Sequence, residues 1–403
     1  MSVLQLERSR PMKSAVPKLL LGFALALFAA PLSAFADGQA EPSVSDKSFF
    51  ANGTPITITE DVPSGAAQST ISGTNNIAGT SAYVSWEYEG ATYYLGVSKD
   101  ATVYGGGDGS ASKVVVPNTS IVMTGGRIWN LFGGNLGKKS KVADECSEVT
   151  GDVSIKVSGK DSYVSNLFHG GGAFNSCVKG TVAMEFDGVD FCDDSDPAAL
   201  SPYVNGGVYG NGSEGSRDID NGTMQTYAVA NNVEIAAKGS EFYLLGAGGS
   251  GSTKVVSGSV KLDGCKVDSL YLGGINGEVC QSNLELGGCT VANLSGTNRG
   301  FVGNANVEIK STTISQLNTG AEPYCMQSDS GTPDAAGVTG KMAISIDAGS
   351  TVTSAALTPL VTRKKDSTTA DYTSRIKKGP ATRPLVVAMK AFEGETTKKN
   401  EKR

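Results

Sequence analysis

Val260-Lys261-Leu262-Asp263-Gly264-Cys265-Lys266-Val267-Asp268-Ser269-Leu270 is followed by Leu284-Glu285-Leu286-Gly287-Gly288-Cys289-Thr290-Val291-Ala292-Asn293-Leu294, and then by Val307-Glu308-Ile309-Lys310-Ser311-Thr312-Thr313-Ile314-Ser315-Gln316-Leu317. Each begins with an apolar residue and repeats apolar residues at offsets 2, 7 and 10, with starts 24 and 23 residues apart. Offsets 0 and 2 share one side of a strand, and the shift to 7 and 10 requires a bend into a second strand. A unit of this size cannot bury its apolar side alone, so stacking on neighbours must create the core.

Looser copies extend the series. Val153, Ile155 and Val157 lead to Val164 and Leu167; Val182, Met184 and Phe186 lead to Val189; Val233 and Ile235 lead to Phe242 and Leu244; Met342, Ile344 and Ile346 open another unit. Ile128 to Gly134 echoes Val164 to Gly170. The composition agrees: 52 Gly in 403 residues, beside many Ser, Thr, Asn and Val, oppose a helical protein. A leucine-rich repeat would need more Leu and a helical segment, and collagen would need Gly at every third position. A β-sandwich is the main rival.

The pattern predicts an all-β chain, a parallel β-helix or β-solenoid with coils of about 24 residues and an N-terminal β cap. It resembles the right-handed parallel β-helix class, the pectate-lyase-like architecture that bacterial surface adhesins also use. The resemblance implies a fold; adhesin-like binding is one activity it suggests.

Four segments are expected. Residues 1–36 carry Arg8, Arg10, Lys13 and Lys18, an apolar run from Leu19 to Ala30 and Ala34-Phe35-Ala36, which together read as a secretory signal cleaved before Asp37. Residues 37–115 contain Tyr83 to Tyr88 and Thr92 to Val97 around Glu89-Gly90, a hairpin suited to capping an open solenoid end. Residues 116–360 hold the repeats, with loop insertions at 192–202 and 210–228, and 361–403 form a basic, partly disordered tail. These features predict a secreted or cell-surface location, with no transmembrane span once the signal is removed.

Charge is unevenly placed. Residues 37–360 carry 18 basic and 34 acidic residues, a net of −16, whereas 361–403 carry twelve basic and five acidic, a net of +7. The acidic body lacks the cationic footprint that nucleic acid requires. Extracellular glycans and host or cell-wall polymers are the expected partners.

Loops leaving a rigid stack are the usual place for binding. Asp193, Asp194, Asp196, Asp218 and Asp220, with Tyr203 and Tyr209, are candidate binding residues for sugar hydroxyls or for calcium. Trp86 and Tyr88 are a second candidate set, since aromatic faces stack on sugar rings. No other cofactor is implied.

Catalysis has thinner support. The alternative is a polysaccharide lyase or glycoside hydrolase with an atypical site, and the polygalacturonase-like motif order N-T-D, D-D, G-H-G, R-I-K is not met. Asp193-Asp194 and Arg375-Ile376-Lys377 occur, but His169, the sole histidine, precedes both and reads as a turn residue. Of the seven Cys, Cys265 and Cys289 share offset 5 in adjacent coils, close enough for a disulfide. Cys146 and Cys177 are a second stacked pair.

Overall fold

A computed structural model describes residues 40–71, 78–139, 145–192, 207–213, 228–250, 253–275, 277–298, 300–321, 337–338, 340–356 and 390–391. It is all-β, 65% strand, with no α-helix among the described residues. The strands form one sheet of eleven and one of sixteen, and nearly all neighbours within each are parallel. Successive strands alternate between the sheets: Val153–Ser158 lies in the larger, Ser162–His169 in the smaller and Ser176–Asp187 in the larger again. Each strand pairs with its equivalents one repeat earlier and later, an arrangement compatible with a solenoid.

The register follows the apolar repeat. Ile56, Ile121, Ile155, Met184, Ile235, Val260, Leu284, Val307 and Ile344 occupy one column of the larger sheet, and none is more than 2–3% exposed. Across the core, Phe49, Val103, Leu131, Phe168, Val208, Leu245, Leu270, Leu294 and Leu317 form the facing column. All belong to one continuous buried cluster. Residues at odd steps between them face outward, because side chains alternate along a strand.

Two sorts of corner join the sheets. The tight one places Gly159, Gly188, Gly239, Gly264 and Gly288 at positive φ, where a Cβ would be strained. Ser311 takes that place one repeat later at φ 48°, and Asp347 accepts its backbone N–H at 3.0 Å. The other corner begins with Gly105, Gly133, Gly170 and Gly210, stacked so closely that a Cβ on each would strike the carbonyl of the next residue in the column. Beyond it, Asp108, Leu136, Ala173, Ser213 and Ser250 join by single parallel bridges into a short third column.

The stack starts earlier than 116. Ser48–Phe50 and Ile56–Thr59 already pair in parallel with Thr102–Tyr104 and Thr119–Met123. The expected hairpin is present, Ala78–Tyr88 against Ala91–Val97, turned at Glu89 and Gly90, both of positive φ. It pairs antiparallel with Ile56–Thr59 at the end of the larger sheet. Ion pairs between neighbouring strands, such as Lys156–Glu185 at 3.2 Å and Lys266–Glu241 at 2.6 Å, engage part of the acidic surface. No helix among the described residues is long and apolar enough to cross a membrane.

Candidate functional site

Among the described residues a second apolar cluster lies on the outward side of the smaller sheet and takes in Leu136 and Ala173 of the short third column; the Gly-rich segments leading into that column are called the arms. Phe50, Tyr104, Phe132, His169 and Tyr209 are register neighbours there. Their rings stack with centroids 5.0, 4.9, 5.3 and 4.8 Å apart and planes within 14° of parallel. His169 is thus a member of a ring column, fully buried, and not a turn residue. A bulge between Ile128 and Asn130 sets Phe132 over His169, one residue from the alignment that the sequence echo suggests.

His169 Nδ1 lies 3.0 Å from the Asn211 carbonyl, which can only accept, so Nδ1 carries the proton. Nε2 lies 3.4 Å from Ser250 Oγ, itself 3.2 Å from Ser213 Oγ. Burial holds the imidazole pKa down at about 4, partly opposed by the Asn211 bond. A neutral, buried ring with both nitrogens engaged ties the arms together.

The sequence-derived site residues separate into three fates. Asp193, Asp194, Asp196, Tyr203, Asp218 and Asp220 lie outside the described residues. Tyr209 is 5% exposed and stacked on His169, so its face is taken. Trp86 is 3% exposed, between Phe49 and Tyr93, and Tyr88 lies on the same face of the hairpin, packed against the core. Strand alternation turns Trp86 and Tyr88 inward, which removes them as a sugar platform; Tyr83 and Tyr94, in edge contact at 5.9 Å, occupy the outer face instead.

The insertion boundaries also change. Gly210 to Ser213 are buried arm residues that carry the His169 contact, and Cys192 N bonds Asp190 Oδ1 at 3.0 Å within the framework.

The disulfide is Cys146–Cys177, with Cα atoms 6.5 Å apart. Cys265 and Cys289 are buried free thiols, so the bond expected between them is not formed. They sit in a corner column with Ser240, Thr312 and Ser350. Val189 N donates to Ser240 Oγ at 3.3 Å, Cys289 N to Thr312 Oγ1 at 3.1 Å and Thr312 N to Ser350 Oγ at 3.1 Å. The backbones of Ser240 and Cys265 hydrogen-bond the sulfurs of Cys265 and Cys289 in the same manner. Sulfur here does a hydroxyl's work. The hydrogen bond between the thiols lowers Cys289 to about 7 and raises Cys265.

An open depression of about 550 Å³ lies on the outward face of the larger sheet, lined by Ser259, Asn283, Glu285, Asn306, Glu308 and Ser345 among others. Ser259, Asn283 and Asn306 form one outward column, and Lys261, Glu285, Glu308 and Ser345 the next. Asn306 Nδ2 donates to Asn283 Oδ1 at 3.1 Å. Glu285 pairs with Lys261 at 3.6 Å and Glu308 with Lys310 at 2.9 Å. These residues flank the repeat's first apolar position on both sides, so the signal for them was the polar residues at offsets −1 and +1. Among the described residues, no group of three or more His, Cys, Asp or Glu is placed to hold a metal ion.

Comparison with protein-family models, curated proteins and solved structures gives no match.

Proposed function

We propose that this protein is a parallel β-solenoid exported to the cell exterior, where it serves as an adhesin-like binding or scaffolding protein with extracellular glycans as its ligand class. The alternation of strands between two parallel sheets, with identical columns in successive repeats, supports the solenoid. The basic and apolar segment 1–36 supports export.

The observation that carries the binding reading is the outward column Ser259, Asn283 and Asn306 on the floor of an open depression. Hydroxyl and amide groups repeat there once per strand, about every 4.8 Å. Such a row presents donors and acceptors in series to the hydroxyls of a linear sugar chain. Calcium bridging through Asp193, Asp194 and Asp196 belongs to the same reading as an accessory.

The hydrolase alternative draws on Glu285 and Glu308, carboxylates one strand spacing apart in that depression. Both are lysine-paired with side chains 58% and 47% exposed, and neither lies in an apolar enclosure. Binding is therefore the better reading.

An array of glycans and matrix polymers probed with the chain from Asp37 onward tests it. We expect binding to a hydroxyl-rich glycan, weakened at least about tenfold, or 1.4 kcal/mol, by the Asn283→Ala/Asn306→Ala double variant. An empty array, or binding indifferent to the two substitutions, would overturn the assignment.

A further inference from the structure

Cys265 and Cys289 hold equivalent places in adjacent repeats, because Lys266 and Thr290, the residues that follow them, are register partners. Equivalent residues of neighbouring parallel strands stand about 4.8 Å apart. Both cysteines are buried, neither is in a disulfide, and a hydrogen bond joins their thiols. Ser240, Thr312 and Ser350 hold the same place in the repeats before and after. One sulfur would serve this column as a hydroxyl does. Two in succession also make a pair of soft donors in contact.

The surroundings limit the pair to two ligands. The Ser240 hydroxyl donates to the Lys238 carbonyl at 2.9 Å and accepts Val189 N at 3.3 Å. The Thr312 hydroxyl donates to the Lys310 carbonyl at 2.8 Å and accepts Cys289 N at 3.1 Å. Both neighbours in the column are therefore committed, and among the described residues no third His, Cys, Asp or Glu joins the pair. A structural zinc ion takes four ligands and does not suit such a place. Two metal–thiolate bonds of about 2.3 Å set in line span about 4.6 Å, close to the strand spacing.

We propose that Cys265 and Cys289 form a two-coordinate thiolate site for a soft monovalent metal ion, of the copper(I) and silver(I) class, held between neighbouring strands. Soft thiolates select such ions. On binding, two S–H bonds break and two metal–sulfur bonds form; both protons leave to solvent, the ion stays monovalent and the complex carries one negative charge. The backbone hydrogen bonds that Ser240 and Cys265 give to the sulfurs stabilise that charge. Loss of the thiol protons orphans no carbonyl. Asp263 O, 3.4 Å from Cys265 Sγ, keeps Gly239 N at 2.9 Å, and Gly287 O, 3.3 Å from Cys289 Sγ, keeps Gly264 N at 2.8 Å. The corner offers an approach, since a Cβ on Gly264 or Gly288, directly before each thiol, would meet nothing within 4 Å.

Silver(I), which neither oxidises thiols nor needs a reductant, is the probe. It is added to the chain from Asp37 carrying Cys192→Ser and Cys280→Ser, so that the other two free thiols are silent. We expect native mass spectrometry to find one silver ion per chain, and X-ray absorption to find two sulfur neighbours with no oxygen or nitrogen. A further Cys265→Ser or Cys289→Ser should abolish uptake and leave the circular dichroism unchanged, because a hydroxyl already fills this column at Ser240 and Ser350. A chain that takes up no silver, uptake that survives either substitution, or a third ligand on the ion would overturn the site. So would thiol counting that finds the pair joined as a disulfide in the purified chain. If a serine variant does not fold, the ligand count in the parent chain still decides.

Discussion

His169 behaves as an aromatic ring that also carries two hydrogen-bonding nitrogens. It occupies the place that Phe132 and Tyr209 hold in neighbouring repeats, and its Nδ1 proton serves the Asn211 carbonyl. Burial lowers its pKa from 6.5 to about 4. Between those values the unfolded chain binds a proton that the folded chain refuses, so stability present above pH 6.5 is lost as pH falls toward 4. Each unit of the interval carries about 1.4 kcal/mol, a few kcal/mol in all. Urea midpoints at pH 7.5 and pH 4.5 should therefore fall less in His169→Phe, which keeps the stacking, than in the native chain. An equal fall in both would show that carboxylates alone set the acid response. Cys289 sits at the same scale: its sulfur accepts a backbone bond that a hydroxyl accepts at Ser240 and Ser350. Cys289→Ser should cost under about 1.5 kcal/mol, whereas Cys289→Val, which leaves a buried N–H unpartnered, should cost about 1–3 kcal/mol more in chemical denaturation.

At the scale of the element, the two glycine corners separate the two costs that a side chain can incur. A Cβ on Gly264 meets nothing within 4 Å, but φ is +61°, so Gly264→Ala should cost about 1–2 kcal/mol from backbone strain alone. A Cβ on Gly170 would strike the Gly210 carbonyl, Val182 Cγ1 at 2.5 Å and Met184 Sδ at 2.7 Å. Gly170→Ala should exceed the Gly264 cost, by about 1–3 kcal/mol of overpacking, and equal urea midpoints for the two would refute the close-approach reading. These corners also show what the chain made legible. Offsets 0, 2, 7 and 10 report burial on both sheets, and that periodicity was enough to find the columns of Val260 and Leu294. The arms were not legible, because a buried Gly-Gly-Gly segment and an exposed turn have the same composition. Residues 210–213 accordingly read as loop. The burial of Trp86 is hidden for a related reason: alternation places Trp86 and Tyr88 on one face of the hairpin but does not say which face meets the core. The Asn283 and Asn306 column is encoded at offset −1, where polar residues on a sheet face carry no signal that separates a binding row from ordinary solvent exposure. A disulfide between Cys265 and Cys289 looked feasible by spacing, and spacing cannot distinguish a bond from two thiols that replace hydroxyls.

For the whole molecule, each strand pairs only with its neighbours in the stack, so stability is assembled along one axis and is not shared evenly. Leu294 is 1% exposed, between Leu270 and Leu317 in its column. An Asp there buries an unpaired charge, a loss of several kcal/mol felt first by the strands directly above and below. The Cys146–Cys177 disulfide and the ring column from Phe50 to Tyr209 lie on strands that do not pair with the strand of Leu294. In Leu294→Asp, hydrogen exchange should accelerate across 266–317 while 119–186 keeps native protection, and denaturant unfolding should split into two transitions. A single transition with uniformly weakened protection would instead mean that the stack unfolds as one cooperative body. Native protection throughout would mean that Leu294 does not face the core.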